Sequence, residues 1–458
     1  MEAVSTEKTN TYMLEGSISR SIIKFAVPLF FGNLFQQLYN TADSLIVGNK
    51  LGDGALAAVS STGMLIFLLI GFFQGIGLGA GVVISQLFGA KDKKNLRASI
   101  HTYIALSLVI GVFLTVAATL LAPQILIWMG TPSEVMPDAT EYIRVYFLGS
   151  LGLVMYNACM GIMQAVGDSR HPLYYLIISS VINVVLDLIL VAGLGLGVWA
   201  AALATIVSQF VSVFLCMHKL MLADEDYSVS IKELKFDKRM VSMILRIGLP
   251  SGVQNSIIAF ANVVVQSNIN YFGKEAMAGC GAYSKIEGFA FLPITSFASA
   301  VTTFVGQNLG AGKKERVKKG AAIGIWSSLI IAEVIGILFF VFAPLLISAF
   351  TREPQAVYHG VLKARTCALF YFLLAATHSF AAVLRGAGKS MVPMIAMLMF
   401  WCVVRVSFLW VMVPVTETID IVNWVYPLTW TLSTIALFIY YLKADWMNSS
   451  VISANKLK

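Results

Sequence analysis

Long apolar stretches separated by short polar segments occupy almost the whole chain. Twelve of these stretches reach roughly 20 residues or more, enough for an α-helix to cross a bilayer. None shows the two-residue alternation of a barrel strand, so transmembrane helices are predicted. The predicted helices are 21–47, 55–87, 98–122, 141–166, 172–192, 198–218, 242–271, 277–305, 320–348, 361–384, 391–414 and 421–442.

The pattern also repeats along the chain. Gln-Leu-Phe-Gly-Ala at 86–90 returns as Gln-Asn-Leu-Gly-Ala at 307–311, an offset of 221 residues, and Pro28 aligns with Pro250 at an offset of 222. A duplication of this length in an apolar chain predicts two membrane half-bundles that face each other across a transport pathway. With six helices in each half, the two copies have the same orientation and form parallel repeats. The sequence therefore predicts an all-α polytopic membrane protein of twelve transmembrane helices in two six-helix lobes.

Five segments follow from this organisation. They are an N-terminal segment (1–20), an N-lobe of helices 1–6 (21–218), a linker (219–241), a C-lobe of helices 7–12 (242–442) and a tail (443–458). The linker is the one substantial polar segment, and a solvated connection is its plain interpretation.

Composition and charge agree with a bilayer as the solvent. Hydrophobic residues make up 58% of the 458 and charged residues 12%, about half the charge of a soluble domain. The net charge of +8 is not a nucleic-acid signal. If the N-terminus is cytoplasmic, 24 of the 32 Lys and Arg lie inside, five lie in or near outer loops and three within helices. This asymmetry predicts that both termini are cytoplasmic.

Other chemistry is excluded or weak. The five cysteines are scattered through apolar stretches without pairing, and small buried hydrophobes are the expected role. The glycine run at 75–81 lacks the Gly-Lys-Ser/Thr ending of a phosphate loop, so close helix packing is predicted there. No nucleophile–base or zinc spacing is present. We therefore expect neither an enzyme nor a cofactor.

Helix 1 carries a polar stripe that ends in a carboxylate. Asn33, Gln36, Gln37, Asn40 and Asp43 recur at steps that place them on one face, which cannot sensibly point at lipid. A carboxylate at membrane depth costs roughly 2.5–3.5 kcal/mol on insertion scales. Two interpretations are open: a polar contact satisfied within the bundle, or the wall of a hydrated cavity that ends in an ionisable group.

A second carboxylate lies in helix 5. Asn183 and Asp187 are one turn apart and share a face, and Thr205 follows in helix 6. Carboxylate, amide and hydroxyl oxygens are hard ligands suited to Na⁺ or H⁺. The residues therefore predict an ion-coupling site, with Na⁺ at Asp43 and Asp187 as one candidate occupant. A structural hydrogen-bond network is the alternative.

These residues resemble the multidrug and toxic compound extrusion (MATE) family, ion-coupled antiporters of twelve helices in two lobes. The resemblance covers about residues 17–442. It implies that Asp43, Asn183, Asp187 and Thr205 form the cation site and that Pro28 kinks helix 1. The residues that it implies for the adjoining substrate cavity are Gln36, Tyr39, Asn40, Tyr142 and Asn157.

The sequence departs from some members of that family in the C-lobe. Helix 10 has no acidic residue along 367–384, which puts in doubt the C-lobe sodium site that some relatives use. Glu287 and Arg405 are the notable charges of the second half. Either they pair with each other, or Glu287 meets a cationic substrate. No role is assigned to Glu333.

The predicted function is a secondary antiporter that exports organic cations or drugs in exchange for H⁺ or Na⁺ by alternating access. Its expected location is the bacterial cytoplasmic (inner) membrane, where we expect a monomer whose partners are small molecules and lipid rather than nucleic acid. A flippase for a lipid-linked precursor on the same scaffold is the alternative. The residues do not separate Na⁺ from H⁺ and do not name the substrate.

Overall fold

A computed structural model describes residues 12–223 and 226–448 of the chain, and fifteen α-helices cover most of them. The helices of the first half are α1 (Ile18–Leu51), α2 (Asp53–Gly89), α3 (Lys93–Trp128), α4 (Met136–Leu148), α5 (Ser150–Ala165), α6 (Arg170–Asp187) and α7 (Val198–Met221). Those of the second half are α8 (Lys238–Tyr271), α9 (Lys274–Gly310), α10 (Lys314–Ser348), α11 (Pro354–Ala368), α12 (Tyr371–Gly386), α13 (Met391–Met397), α14 (Arg405–Thr416) and α15 (Asp420–Lys443). Two π-helical segments, Leu188–Gly193 and Leu398–Val404, continue α6 and α13.

Within the described residues, ten helices are long and apolar enough to cross a membrane, or twelve if two bent pairs are each one span. The all-helical prediction is confirmed, since no strand occurs in 12–223 or 226–448. The fourth and tenth predicted helices are not continuous: α4 and α5 meet at 47° and α11 and α12 at 53°. At the first bend, a side chain on Gly149 would overlap Ile206. At the second, the Glu333 carboxylate accepts a bond from the Phe372 backbone N–H at 3.3 Å, a partner that the sequence did not indicate.

The two halves contact each other closely along α2 and α8. A Cβ on Gly75 or Gly79 would overlap the backbone of Gly252 or Gly248 on the facing helix. These small residues let the two backbones approach, as at tightly packed helix pairs in membranes. The predicted packing role of the glycine run at 75–81 is confirmed for these two positions.

The repeated Gln-x-x-Gly motif closes one end of the interface between the halves. The side-chain amide of Gln86 donates to the Gly386 carbonyl at 2.9 Å, and that of Gln307 donates to the Ala165 carbonyl at 2.7 Å. The two bonds are equivalent, because both the glutamines and their acceptors are separated by 221 positions. A Cβ on Gly310 would overlap the Gln86 carbonyl, so the approach requires glycine there. The motif is thus a symmetric contact between the lobes.

The described ends of the chain lie at this same end of the bundle. Arg316, near the start of α10, donates to the carbonyls of Gly16 at 2.8 Å and Glu15 at 3.0 Å. Lys314 hydrogen bonds to Asn448. The segment before α1 also reaches the first half, where the Tyr12 hydroxyl donates to the Gly167 carbonyl at 2.8 Å.

Helix α1 packs against both halves. Its first part, with Ile22 and Phe25, is buried with Phe297 and Phe304 of α9. Its last part packs Val47 into a cluster of the first half. The helix continues without a break through Pro28, and the predicted kink at that residue stays a prediction.

The connection between the halves is held by an ion pair at the bundle surface. Arg97 of α3 donates to both Glu233 oxygens, at 2.5 and 2.8 Å. This guanidinium lowers the pKa of the Glu233 carboxyl below its ordinary value. Nearby, the Ser230 N–H donates to His101 Nε2 at 3.0 Å. Elsewhere the five cysteines are all buried and free, as predicted.

Candidate ion and substrate site

Two carboxyl groups meet inside the first half. Asp43 on α1 and Asp187 at the end of α6 lie within hydrogen-bonding range of each other. Asp187 is fully buried and Asp43 is half-buried. The first π-helical segment begins immediately after Asp187, and such local widening of a helix is frequent at functional sites. Two carboxylates in contact away from water repel each other, so a shared proton or a small cation stabilises the pair.

Oxygen atoms without a protein donor surround this contact. Among the described residues, Asp43 Oδ1, both Asp187 carboxyl oxygens and Asn183 Oδ1 are buried and accept no hydrogen bond. The Asn183 amide donates to the Thr205 hydroxyl at 3.5 Å, and that hydroxyl donates to the Ala201 carbonyl at 3.1 Å. Buried acceptors are normally satisfied. Four unsatisfied oxygens in one region are therefore suited to bind a proton or Na⁺.

Tyrosine rings form one wall beside the carboxyl pair. Tyr142 is buried on α4 and stacks on Tyr146, with 6.1 Å between the ring centroids. Both rings lie within electrostatic range of Asp43. Tyr39, one turn before Asp43 on α1, lies within electrostatic range of Asp43 and Tyr146. Tyr146 was not identified from the sequence, although its position one turn after Tyr142 is a signal that could have found it.

The remaining predicted cavity residues are placed apart from this wall. Asn40 is exposed on α1. Asn157 on α5 donates to its own helix at the Leu153 carbonyl, 2.8 Å away. It lines a different cavity inside the first half, together with Gln74 and Tyr103. The roles of Asn40 and Asn157 in substrate binding stay predictions.

The charged residues of the second half differ from what the sequence suggested. Of the two alternatives left open for Glu287, pairing with Arg405 is not found: no ion pair joins them in the described structure, and Glu287 accepts from the Tyr283 hydroxyl at 2.7 Å. The Arg405 guanidinium donates to the Thr429 hydroxyl at 2.8 Å. Lys363, one of the five Lys and Arg counted in or near outer loops, is buried in α11 with 2% of its surface exposed. The second half therefore also holds buried ionisable side chains.

A multi-ligand metal centre is not found in the described part of the chain. No group of three or more His, Cys, Asp or Glu side chains lies close enough to hold an ion there. Any Na⁺ at Asp43 and Asp187 would therefore rely on amide, hydroxyl or water oxygens for its other ligands.

The sequence profile of the MatE family matches this chain twice, at residues 28–189 and at 250–411. The chain belongs to the MatE family. The two matches are offset by 222 residues, the same offset that relates Pro28 to Pro250 in the internal repeat. Members of this family are membrane transporters rather than enzymes.

Named relatives and a solved structure match nearly the whole length of this chain. The probable multidrug resistance protein YoeA of Bacillus subtilis (strain 168) is 30% identical, over 93% of this chain and 94% of its own length. The probable multidrug resistance protein NorM of Thermotoga maritima is 27% identical, covering 96% of each chain. A solved structure of a multidrug resistance MATE family transporter in its outward-facing conformation superposes with a TM-score of 0.87 at 25% identity, over 98% of this chain and 99% of that one. The MatE fold thus extends from end to end of the described residues.

Proposed function

We propose that this MatE protein exports organic cations and drugs across the membrane in exchange for H⁺ or Na⁺. The proximity of the Asp43 and Asp187 carboxyl groups, with unsatisfied buried oxygens around them, carries the proposal. The names of the relatives, which are multidrug resistance proteins, support small organic molecules as the cargo. The buried tyrosines beside the carboxyl pair suit flat cationic molecules, because ring faces attract cations.

Ion binding is coupled to the lobes through α1. This helix carries Asp43 at its N-lobe end and packs its first part on α9 of the second half. Neutralising the carboxyl pair removes repulsion between α1 and α6, which favours one position of α1 over another. Exchange requires only that the ion and the drug stabilise different conformations.

Closure of the lobes at one end supports alternating access. The bonds from Gln86 to Gly386 and from Gln307 to Ala165 hold the lobes together at the end that carries the described chain termini. The concentration of Lys and Arg at this end supports its being cytoplasmic. With this end closed on the cytoplasmic side, the pathway would open to the outside, which is one of the two states that alternating access requires. We propose the bacterial inner membrane as the location, both termini cytoplasmic, and a monomer as the working unit.

A flippase for a lipid-linked precursor is less well supported. The two relatives named above are probable multidrug resistance proteins, which favours small soluble molecules over a lipid-linked precursor as the cargo. The experiment below separates the two, because a flippase would leave a soluble dye untransported under either ion gradient.

The experiment is dye efflux from proteoliposomes. Ethidium is loaded inside, a Na⁺ or H⁺ gradient is imposed separately, and the wild type is compared with Asp43→Asn and Asp187→Asn. The control is Glu134→Gln, which removes an exposed carboxylate of the same half. We expect efflux under one gradient in the wild type and the control, and none in either aspartate variant. Wild-type rates in both aspartate variants would sink the coupling role.

A further inference from the structure

Two buried cations lie together inside the second half. Lys363 on α11 and Arg405 at the start of α14 each expose 2% of their surface. Glu287 on α9 lies within electrostatic range of both. We call these three residues, with Tyr283 and Tyr426 between them, the C-lobe basic cluster. Even with Glu287 ionised, its formal charge is +1.

Aromatic rings are the neighbours of the Lys363 ammonium. Its Nζ lies 5.0 Å from the centroid of Tyr426 and 5.3 Å from that of Tyr283. Within 12–223 and 226–448, no carboxylate lies within ion-pair distance of it and no acceptor is hydrogen bonded to it. Ring faces stabilise a cation only partly compared with water or a carboxylate. This ammonium therefore retains unused capacity to bind an anion.

Arg405 is likewise a buried cation with no ion pair in the described part of the chain. Its guanidinium lies 4.5 Å from the Tyr426 centroid, so the two cations share that ring, and it donates one bond to Thr429. Its Nε is buried and unpaired among the described residues. The second π-helical segment, Leu398–Val404, ends immediately before Arg405.

The carboxylate of Glu287 forms no ion pair with either cation in the described part of the chain, and it offsets only one of the two charges. It accepts from the Tyr283 hydroxyl, which in turn lies 3.1 Å from the Tyr371 hydroxyl. Leaving a buried charge without a partner is strongly unfavourable, and more so at membrane depth. Such a group persists where a ligand supplies the counter-charge. Glu287 and Tyr426 are half-buried rather than buried, so part of the cluster is accessible.

We propose that the C-lobe basic cluster binds the carboxylate of an organic substrate with an aromatic body. A monoanion balances the charge of +1, and a planar carboxylate matches the donor geometry of a guanidinium. The tyrosines at the cluster suit the flat body of such a molecule. The transporter would then accept carboxylate-bearing zwitterions as well as simple cations. This inference rests on the proposed function only in treating the ligand as cargo.

The test uses two dyes that differ at one group. Rhodamine 110 is a zwitterion with a free carboxylate, and rhodamine 123 is its methyl ester. Binding of each to the full-length protein in detergent is measured by fluorescence anisotropy, without any ion gradient. We expect the wild type to bind rhodamine 110 about tenfold more tightly, the size expected of one good charge-assisted bond.

Three variants sharpen the expectation. Lys363→Gln should abolish the preference for rhodamine 110. Glu287→Gln should increase it, because the competing carboxylate is removed. Arg365→Gln, an exposed cation two residues after Lys363 on the same helix, should leave it unchanged. An opposite response of the first two variants is not produced by misfolding, and a sharp size-exclusion peak with a cooperative thermal transition confirms that each variant is folded.

Several results would overturn the inference. They are equal wild-type affinities for the two dyes, failure of rhodamine 110 to bind, or a preference that survives in folded Lys363→Gln. Displacement of rhodamine 110 by millimolar chloride, with gluconate as the control salt, would assign the cluster to an inorganic anion instead. Loss of gradient-driven ethidium efflux with an intact dye preference would reject the proposed function and leave this site standing.

Discussion

Where the first half places Tyr142 beside Asp43 and Asp187, the second half places Lys363, 221 residues later. The residue equivalent to Asp187 is Phe408. At these two equivalent positions the second half therefore has an ammonium and no carboxylate. The same bundle thus holds an acidic pair in one lobe and a basic cluster in the other. The contacts that join the lobes, by contrast, are the same in both halves.

Contact positions between the lobes are alike in the two halves, whereas positions inside each lobe differ in charge. Gln86 and Gln307, with their acceptors, make the same hydrogen bond twice because closure of the lobes needs both partners. Tyr142 and Lys363 each lie beside a tyrosine ring but differ in charge, while the helices that carry them, α4 and α11, are the first members of equivalent bent pairs. We infer that one lobe serves the ion and the other a group of the substrate.

Transplanting the C-lobe cation into the N-lobe should have the largest effect. Tyr142→Lys would place an ammonium next to Asp43 and Asp187, where it would replace the coupling ion permanently. We expect gradient-driven efflux to fall by about 100-fold, near the upper range of a coupling free energy between two sites. Ethidium efflux from proteoliposomes measures this. Tyr142→Phe keeps the ring and should retain most of the activity; equal losses in both variants would contradict the electrostatic explanation.

Disturbing the contact shared by the two halves should have a smaller effect. Gly79→Ala would overlap the backbone of Gly248, and overpacking of this kind costs roughly 1–3 kcal/mol. We expect the closed end to open more often in this variant. The readout is the distance between spin labels at Asp92→Cys and Lys314→Cys, with the native thiols buried.

The matched control for this contact is two residues away. Gly81→Ala meets no atom within 4 Å, so the distance distribution should stay that of the wild type. If the distance distribution broadened in Gly81→Ala, or did not broaden in Gly79→Ala, the close approach of the two lobes would not depend on Gly79.

Unfolding of the ligand-free protein should distinguish the cations of the basic cluster from the ring that they share. Lys363→Met removes a buried charge without a counter-ion, so we expect the melting temperature to stay the same or rise. Tyr426→Leu removes the ring that contacts both cations and should destabilise by about 1–2 kcal/mol. Thermal unfolding in detergent measures both. A large loss of stability in Lys363→Met would mean that the ammonium is structural.

Much of the fold followed from sequence because it depends on local pattern. Apolar length predicted the spans, and the repeat predicted that the halves would be built alike. The helical spacing of the polar residues between Asn33 and Asp43 predicted that Asp43 lies on a face of helix 1 that points into the bundle. The bends after α4 and α11 were missed, since the side chains that approach them, Ile206 and Glu333, are distant in sequence.

The buried basic cluster was missed for a related reason. Counting charges by loop assigns a lysine near the end of a predicted helix to the adjoining loop. Lys363 lies near the start of the predicted helix 361–384, which faces outward in the predicted orientation. What buries it are the rings of Tyr283 and Tyr426, 80 and 63 positions away along the chain. Pairing Glu287 with Arg405 likewise assumed a contact between helices whose relative placement the sequence does not give.

The smallest effect is expected where an ion pair lies in water rather than in the bundle. Arg97 and Glu233 form a bidentate pair at the linker, but both side chains are exposed, and exposed pairs contribute little. Because the pKa of Glu233 is lowered, the pair should persist at neutral pH and be lost only as the pH falls through that lowered value. Arg97→Gln should accelerate hydrogen exchange in the linker peptide 226–237 by about twofold at pH 7.

The salt and pH dependence of this change in hydrogen-exchange rate should distinguish the linker ion pair from the buried charges inside the two lobes. At 1 M salt, or below the lowered pKa, the wild type and Arg97→Gln should exchange equally, because screening or protonation removes the attraction. Lys93, which pairs with Asp226 at 3.0 Å and is more exposed, supplies the control: Lys93→Gln should change exchange still less. If Arg97→Gln instead changed exchange several-fold and independently of salt, the linker contact would resemble the buried clusters, and the assignment of the important electrostatics to the two lobe interiors would fail.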